Sequence, residues 1–312
     1  MGGHLGTAVA LLLDQLDDVE IFGIDLEPPR RHLVNANFRL VAPEDDLRIR
    51  SFIAEADPTH VLHLGIYEPH ARSSPADSEA RSAAITHSVF GALLECQNVA
   101  NVVVRSGLEV YGRRRNAPLR PDEDCELDPT TRFGRTLQGI ELAALAYEQE
   151  SGVPVTRLRF APIVGPHLPS PIGRYLRLPI VPVGAIPDHP FSLLHIDDMA
   201  TAVLRALARP YSGPLNIVGA GAVTGSQAAR LGGRLPLPVA GPLWALSRTV
   251  TGLMGSPLPE HGLELLTRGR TADGQRAGEA LGYAPTYSTL AVVKELYEWA
   301  SVSYMSSDRV VA

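Results

Sequence analysis

Lysine is nearly absent from this chain. Of 28 basic residues only Lys294 is lysine; the others are arginine. Chemistry that needs a lysine ammonium beside a second reactive group is therefore confined to one position near the C-terminus. Cysteine is scarce as well. Cys96 and Cys125 are the only two, and their spacing matches neither a metal site nor a disulfide framework. The expectation is a reducing, cytoplasmic setting and no resident metal. No stretch of 18 apolar residues occurs, so no membrane-spanning helix is expected. Residues 243–254 are apolar but include Arg248 and several hydroxyls, which reads as a packed helix. A net charge of −6 leaves no basic footprint for nucleic acid. Arg113, Arg114 and Arg115 stand near Asp122, Glu123 and Asp124, and the run reads as a solvated loop.

What is present is an alternation of short apolar strands and longer helical patterns. The chain has 312 residues, 45% of them hydrophobic, enough for one large α/β domain or two smaller ones. Strands are expected over 20–25, 38–41, 60–65, 102–104 and 154–160, the fourth ending in a polar turn. Helices are expected over 8–16, 47–56, 80–97, 138–150, 199–208 and 290–300. That order predicts a Rossmann-like, doubly wound parallel sheet. Proline is dense from Pro162 to Pro190, where a smaller C-terminal lobe is expected to begin. The division is 1–165 for dinucleotide binding and 166–312 for substrate, with 191–218 partly returning to the first core.

The chain opens with Gly2, Gly3, His4, Leu5 and Gly6, directly before a helical run. Glycines let a backbone approach a pyrophosphate, and the helix N-terminus offers N–H groups and a positive dipole end. Asp25 closes the next strand nineteen residues after Gly6. An acid there accepts ribose hydroxyls and repels a 2′-phosphate, so NAD is expected over NADP, a preference weakened by Arg30 and Arg31.

The central stretch runs Val102, Val103, Val104, Arg105, Ser106, Gly107, Leu108, Glu109, Val110, Tyr111, Gly112, and reaches Phe133 and Leu137 after a loop. It resembles the extended short-chain dehydrogenase/reductase family, the NAD-dependent epimerases and dehydratases of nucleotide sugars. Further similarities are Leu158-Arg159 leading to Gly165-Pro166, Phe191 with His195, Asp198 and Ala200, and Asp273 with Arg276, Ala277, Leu281, Gly282, Tyr283 and Pro285. The resemblance implies NAD at Gly3, His4, Leu5, Gly6, Asp25, Leu64, Gly65 and Ser106. It also implies a nucleotide sugar as ligand, and a homodimer. His63 precedes the turn beneath the cofactor and reads equally as a core histidine. In that family a Ser/Thr and a Tyr-x-x-x-Lys pair move the proton. Here those places are Gly107, Phe133 and Leu137, and the family's phosphate-contacting Asn is Pro162. No Tyr in the chain has Lys four residues later. Losing one positioned acid–base group costs roughly 10²–10⁴ in rate.

Candidate substitutes are Glu109, where the dehydratases carry an acid, and Ser106, with Tyr111 and Arg135 behind them. Two functions stay open. One is an oxidoreductase or epimerase with a rewired site. The other is a non-catalytic dinucleotide sensor or partner subunit. Asp198 is expected to cap the helix that follows it and to join the lobes. The first Rossmann strand and first turn glycine have no counterpart after Met1. The expectation is a natural start about eight to twelve residues upstream, since a sheet without its central strand leaves backbone groups unpaired; the plain alternative is a truncated paralogue.

Overall fold

The computed structural model describes residues 1–69, 73–114, 116–166 and 168–298; Arg115 of the arginine run, and residues 299 and 300 of the last expected helix, lie outside them. In chain order the first half comprises α1 (His4–Leu13), β1 (Ile21–Asp25), β2 (Ala36–Leu40), α2 (Asp46–Ala56) and β3 (His60–His63). It continues with α3 (Pro75–Leu93), β4 (Asn101–Gly107), a 3₁₀ turn (Leu108–Tyr111), α4 (Arg132–Ser151) and β5 (Val155–Phe160). The second half begins with β6 (Ile163–Val164), α5 (Pro171–Leu176), β7 (Ile180–Gly184), β8 (Pro190–Phe191), β9 (Leu194–His195) and α6 (Ile196–Ala208). Then follow β10 (Gly213–Ile217), β11 (Val223–Thr224), α7 (Gly225–Leu231), β12 (Leu235–Val239), α8 (Leu243–Leu253), α9 (Glu260–Arg268), α10 (Gln275–Leu281) and α11 (Thr289–Glu298).

The main ladder has the order β10-β5-β4-β3, all parallel. β4 lies inside it because Val102, Val103 and Val104 are apolar on both faces and fully buried. Val103 sits in register with Leu62 on one side and Thr156 on the other. β1 and β2 form a second parallel ladder. Helix α1 packs on α6, while α2, α3 and α4 pack in series. This is the expected Rossmann-like α/β architecture. A second core gathers Tyr175, Phe191, Leu193, Leu265 and Val292 from the C-terminal half. β10 returns from that half to pair with β5.

Local chemistry moves several helix starts ahead of the sequence expectation. α3 begins at Pro75 because the Ser74 hydroxyl accepts the Asp77 N–H at 3.1 Å and proline suits the first helical position. α4 begins at Arg132 because Thr131 accepts the Gly134 N–H at 3.1 Å, which places Phe133 and Leu137 on the helix. Two expectations are corrected. Asp198 does not cap α6; the His195 ring accepts the Asp197 N–H instead. The Asp198 carboxylate accepts N–H groups from Thr286 and Tyr287 at 2.8 and 3.0 Å, and so fastens α6 to the C-terminal segment. Arg113 is buried rather than solvated. Its guanidinium donates to the carbonyls of Pro118 and Arg268, because the loop folds back over the end of α9.

His63 ends β3 with its ring buried and Nε2 2.9 Å from the Thr86 hydroxyl. Burial pushes the imidazole down to about 4 from an ordinary 6.5. The folded protein therefore holds this ring neutral where the unfolded chain takes up a proton. Stability from this residue is complete above the unfolded value and is lost as the pH falls toward the folded one. We expect a loss of about 2 kcal/mol between pH 7 and pH 5 from His63 alone. Urea unfolding at both pH values checks this: a His63→Phe variant should lose that much less.

Candidate functional site

The glycine turn and Asp25 lie in direct contact. Asp25 Oδ2 accepts N–H groups from Gly2 at 2.8 Å and Gly3 at 3.2 Å, and pairs with the Met1 ammonium at 2.9 Å. Oδ1 accepts the Leu26 N–H at 2.7 Å. Burial works to raise the Asp25 carboxyl, but the Met1 ammonium and these N–H groups outweigh it and hold it below the usual carboxylate range. A cavity of about 1990 Å³ lies between β1 and β3 along their whole length and continues past this turn to the carboxyl ends of β3 and β4. Gly3, His4, Leu5, Gly6 and Asp25 line one end of it; Leu64, Gly65 and Ser106 line its middle.

Beyond Ser106 the cavity reaches Gly107, Glu109, Phe133 and Leu137. The structure brings these four together as the sequence implied, but fills the space differently. Gly107 is extended, and a Cβ built on it would overlap the Glu109 carboxylate at Oε2 and stand 3.1 Å from Leu137 Cδ1. The Glu109 carboxylate thus occupies the seat of a side chain at 107. Its other oxygen, Oε1, takes the Arg270 guanidinium at 2.8 Å. Arg270 is 2% exposed and reaches Glu264 with its second terminal nitrogen at 2.7 Å. The Thr130 hydroxyl donates to the far oxygen of Glu264. One arginine therefore holds two buried carboxylates, one from the turn after β4 and one from α9.

Phe133 and Leu137 are buried in the first core. The Phe133 ring lies against the His261 ring, with centroids 4.7 Å apart. His261 Nε2 is 3.0 Å from Glu68 Oε1, and Arg105 approaches the other Glu68 oxygen at 3.7 Å. Burial pulls the Arg105 guanidinium down; Glu68 and Glu109 oppose that.

Ser106 has a different employment. Its hydroxyl donates to Glu141 at 2.6 Å, and Glu141 takes Arg159 through both oxygens at 2.9 and 2.7 Å. Arg159 also holds the Tyr111 hydroxyl at 2.8 Å, which donates to Asn216 at 2.8 Å. This buried chain ties β4, α4, β5 and β10 together. Burial drives the Tyr111 phenol up to about 12, so it stays protonated at neutral pH and offers no base. Arg135 is exposed on α4. Sequence reasoning missed Arg270, Glu264, His261 and Glu68. Only tertiary packing brings them to the turn after β4, and no local spacing announces it.

Similarity to known proteins follows the same lines. A sequence profile of the NAD dependent epimerase/dehydratase family matches residues 1–219. An uncharacterized protein of Mycobacterium tuberculosis is 27% identical over 286 residues, which is 89% of this chain and 76% of the relative. Among solved structures, a UDP-galactose 4-epimerase superposes with a TM-score of 0.71 at 20% identity, covering 95% of both chains. The UDP-glucose 4-epimerase of Brucella ovis, solved with NAD, gives 0.71 at 20% identity and 94% of both chains. The dTDP-glucose 4,6-dehydratase of Bacillus anthracis, also with NAD, gives 0.71 at 16% identity over 96% of this chain and 93% of that one. With the profile covering more than two thirds of its length, this chain belongs to the NAD dependent epimerase/dehydratase family.

Proposed function

We propose that this chain binds NAD along the cleft and acts on a hydroxyl-bearing substrate of the nucleotide-sugar class, with the Glu109 carboxylate in place of a phenol. One observation carries the reading. The Glu109 carboxylate fills the seat of a side chain at Gly107, lines the cavity and is held there by Arg270. Buried charges gathered in a cleft are costly to fold and concentrate at functional sites.

The residues present fit the cofactor. The N–H groups of His4, Leu5 and Gly6 stand in the first turn of α1, where no intrahelical acceptor exists, and suit a pyrophosphate. Asp25 suits the adenine ribose hydroxyls and opposes a 2′-phosphate. The Arg30 guanidinium pairs with Glu27 at 3.2 Å, which favours NAD over NADP. Leu64 and Gly65 supply backbone beneath the cofactor, and Ser106, through Glu141, keeps the end of β4 rigid. NAD, when bound, takes hydride from a carbinol carbon. The carbinol proton has to pass to the protein, and Glu109 is the carboxylate placed to receive it. A second reading, a cytoplasmic dinucleotide sensor without turnover, draws its support from Phe133 and Leu137, which lie in the apolar core.

Calorimetric titration tests the cofactor: NAD⁺ should bind about tenfold or more tighter than NADP⁺, a difference of about 1.4 kcal/mol or more. Reduced-nicotinamide absorbance tests the chemistry. A transient with UDP-glucose or UDP-galactose that disappears in Glu109→Gln supports the carboxylate site. NAD binding with no absorbance change supports the sensor, and absence of NAD binding removes both. Epimerisation of UDP-galactose should run roughly 10²–10⁴ below that of a tyrosine-bearing relative.

A further inference from the structure

His261 is a buried histidine with one ring nitrogen left over. It belongs to α9, is 7% exposed, and lines the cavity beside Glu109, Phe133 and Arg270. Its ring lies against Phe133, and the Arg270 nitrogen that grips Glu109 stands 3.5 Å from the His261 carbonyl. Nε2 lies 3.0 Å from Glu68 Oε1, and the other Glu68 oxygen faces Arg105. A carboxylate can only accept, so Nε2 carries the ring hydrogen and Nδ1 the lone pair. Among the described residues Nδ1 meets no hydrogen-bond partner, and it is not sealed from the cavity. Glu264, one turn along the helix, turns its carboxylate to Arg270 and Thr130 instead. A histidine kept only for packing has its polar atoms satisfied, as buried polar groups do as a rule. This ring is fixed on one side and open on the other, the arrangement of an oriented base.

We propose that His261, oriented by Glu68, is a second acid–base group of this cleft and exchanges a carbon-bound proton of the substrate. The inference rests on the reading of the cleft as a nucleotide-sugar site. Hydroxyl protons exchange with water unaided and call for no fixed base. A carbon-bound proton does not, and it becomes acidic only beside a carbonyl, which hydride loss to NAD⁺ at a carbinol creates. Glu109 has by then taken the hydroxyl proton, so the next proton needs another base. At His261 that step balances without further reagents. The C–H bond beside the carbonyl breaks, its electron pair becomes the C=C bond of an enolate, and the carbonyl π pair moves onto oxygen. The proton bonds to Nδ1, and the imidazolium so formed stands against the Glu68 carboxylate. The reverse step returns the ketone, carrying a solvent proton wherever the ring has exchanged with water. Nothing is oxidised or reduced in between.

Deuterium tests this without the redox step. The full chain with NAD⁺ in heavy water is given UDP-4-keto-6-deoxyglucose, whose carbonyl is already in place, and the sugar is read by mass spectrometry. The wild type should add deuterium at carbon well above the rate in buffer. His261→Gln keeps a donor for Glu68 but has no basic nitrogen, and its exchange should fall roughly 10²-fold or more at equal bound ligand. Should that variant not fold, Glu68→Gln serves. Its side chain is 40% exposed, and exchange should fall about tenfold because the ring is no longer held. Wild-type exchange no faster than buffer overturns the proposal. So does exchange undiminished in His261→Gln or, where that variant is unfolded, in Glu68→Gln. The absorbance experiment with UDP-galactose separates the two readings. A nicotinamide transient without carbon exchange from the ketosugar overturns the role of His261 and leaves that of Glu109. Exchange that His261→Gln abolishes, with no transient, upholds His261 and removes Glu109.

Discussion

Arg270→Met is expected to lower the stability of the folded chain by about 3–5 kcal/mol, the usual cost of removing one partner from a buried ion cluster. The reason lies in what remains. Glu109 and Glu264 are both buried, and both carboxylates take a terminal nitrogen of the same guanidinium. Without it, two negative charges face each other with little water to separate them. The effect should therefore exceed that of Glu109→Gln, which keeps an oxygen acceptor for Arg270 and leaves the Arg270–Glu264 pair whole. Replacing all three residues by apolar side chains of similar volume should return most of the loss, because the desolvation of three charges disappears with them. Urea unfolding of the three variants reads these differences. A loss below about 1 kcal/mol in Arg270→Met would show that the carboxylates reach solvent through the cavity.

Restoring the family's proton relay should fail in a specific way. Gly107→Ser, Phe133→Tyr and Leu137→Lys together reinstate the missing groups by sequence. The structure has already given the first position to Glu109: a Cβ at residue 107 overlaps its carboxylate. Arg270 keeps that carboxylate from stepping aside. The triple variant is expected to lose about 1–3 kcal/mol from overpacking at residue 107 and to gain little turnover of UDP-galactose. Adding Glu109→Ala vacates the seat. We expect that fourth change to raise turnover by about 10²-fold or more over the triple variant, the contribution of one positioned acid–base group. Equal turnover in the triple and quadruple variants would show that Glu109 moves aside at no cost.

The fold could be read from the sequence because its signals are local. Val102, Val103 and Val104 announce a strand buried on both faces, and the glycine turn before α1 announces a helix N-terminus, each within a few residues. Gly107, Phe133 and Leu137 are expected near one another on the same kind of local signal, and all three line one cavity. The cluster around Glu109 could not be read. Arg270 lies 161 residues from Glu109 in sequence, and His261 lies 193 from Glu68. His261 lies in α9 and Arg270 two residues past its end, and no spacing marks either. Asp198 shows the same limit at smaller scale. An acid before a helical run reads as a cap, yet its carboxylate was claimed by two backbone N–H groups nearly ninety residues away.

That last contact makes two amide protons into gauges of motion. Thr286 and Tyr287 donate to a carboxylate that is itself buried on α6, and α6 packs against the helix that begins at the glycine turn. Their hydrogens can exchange with solvent only when the C-terminal segment lifts off α6. Their exchange rates therefore count openings of the joint between the two cores. A ligand that closes the cleft would slow both together, even though neither residue lines it.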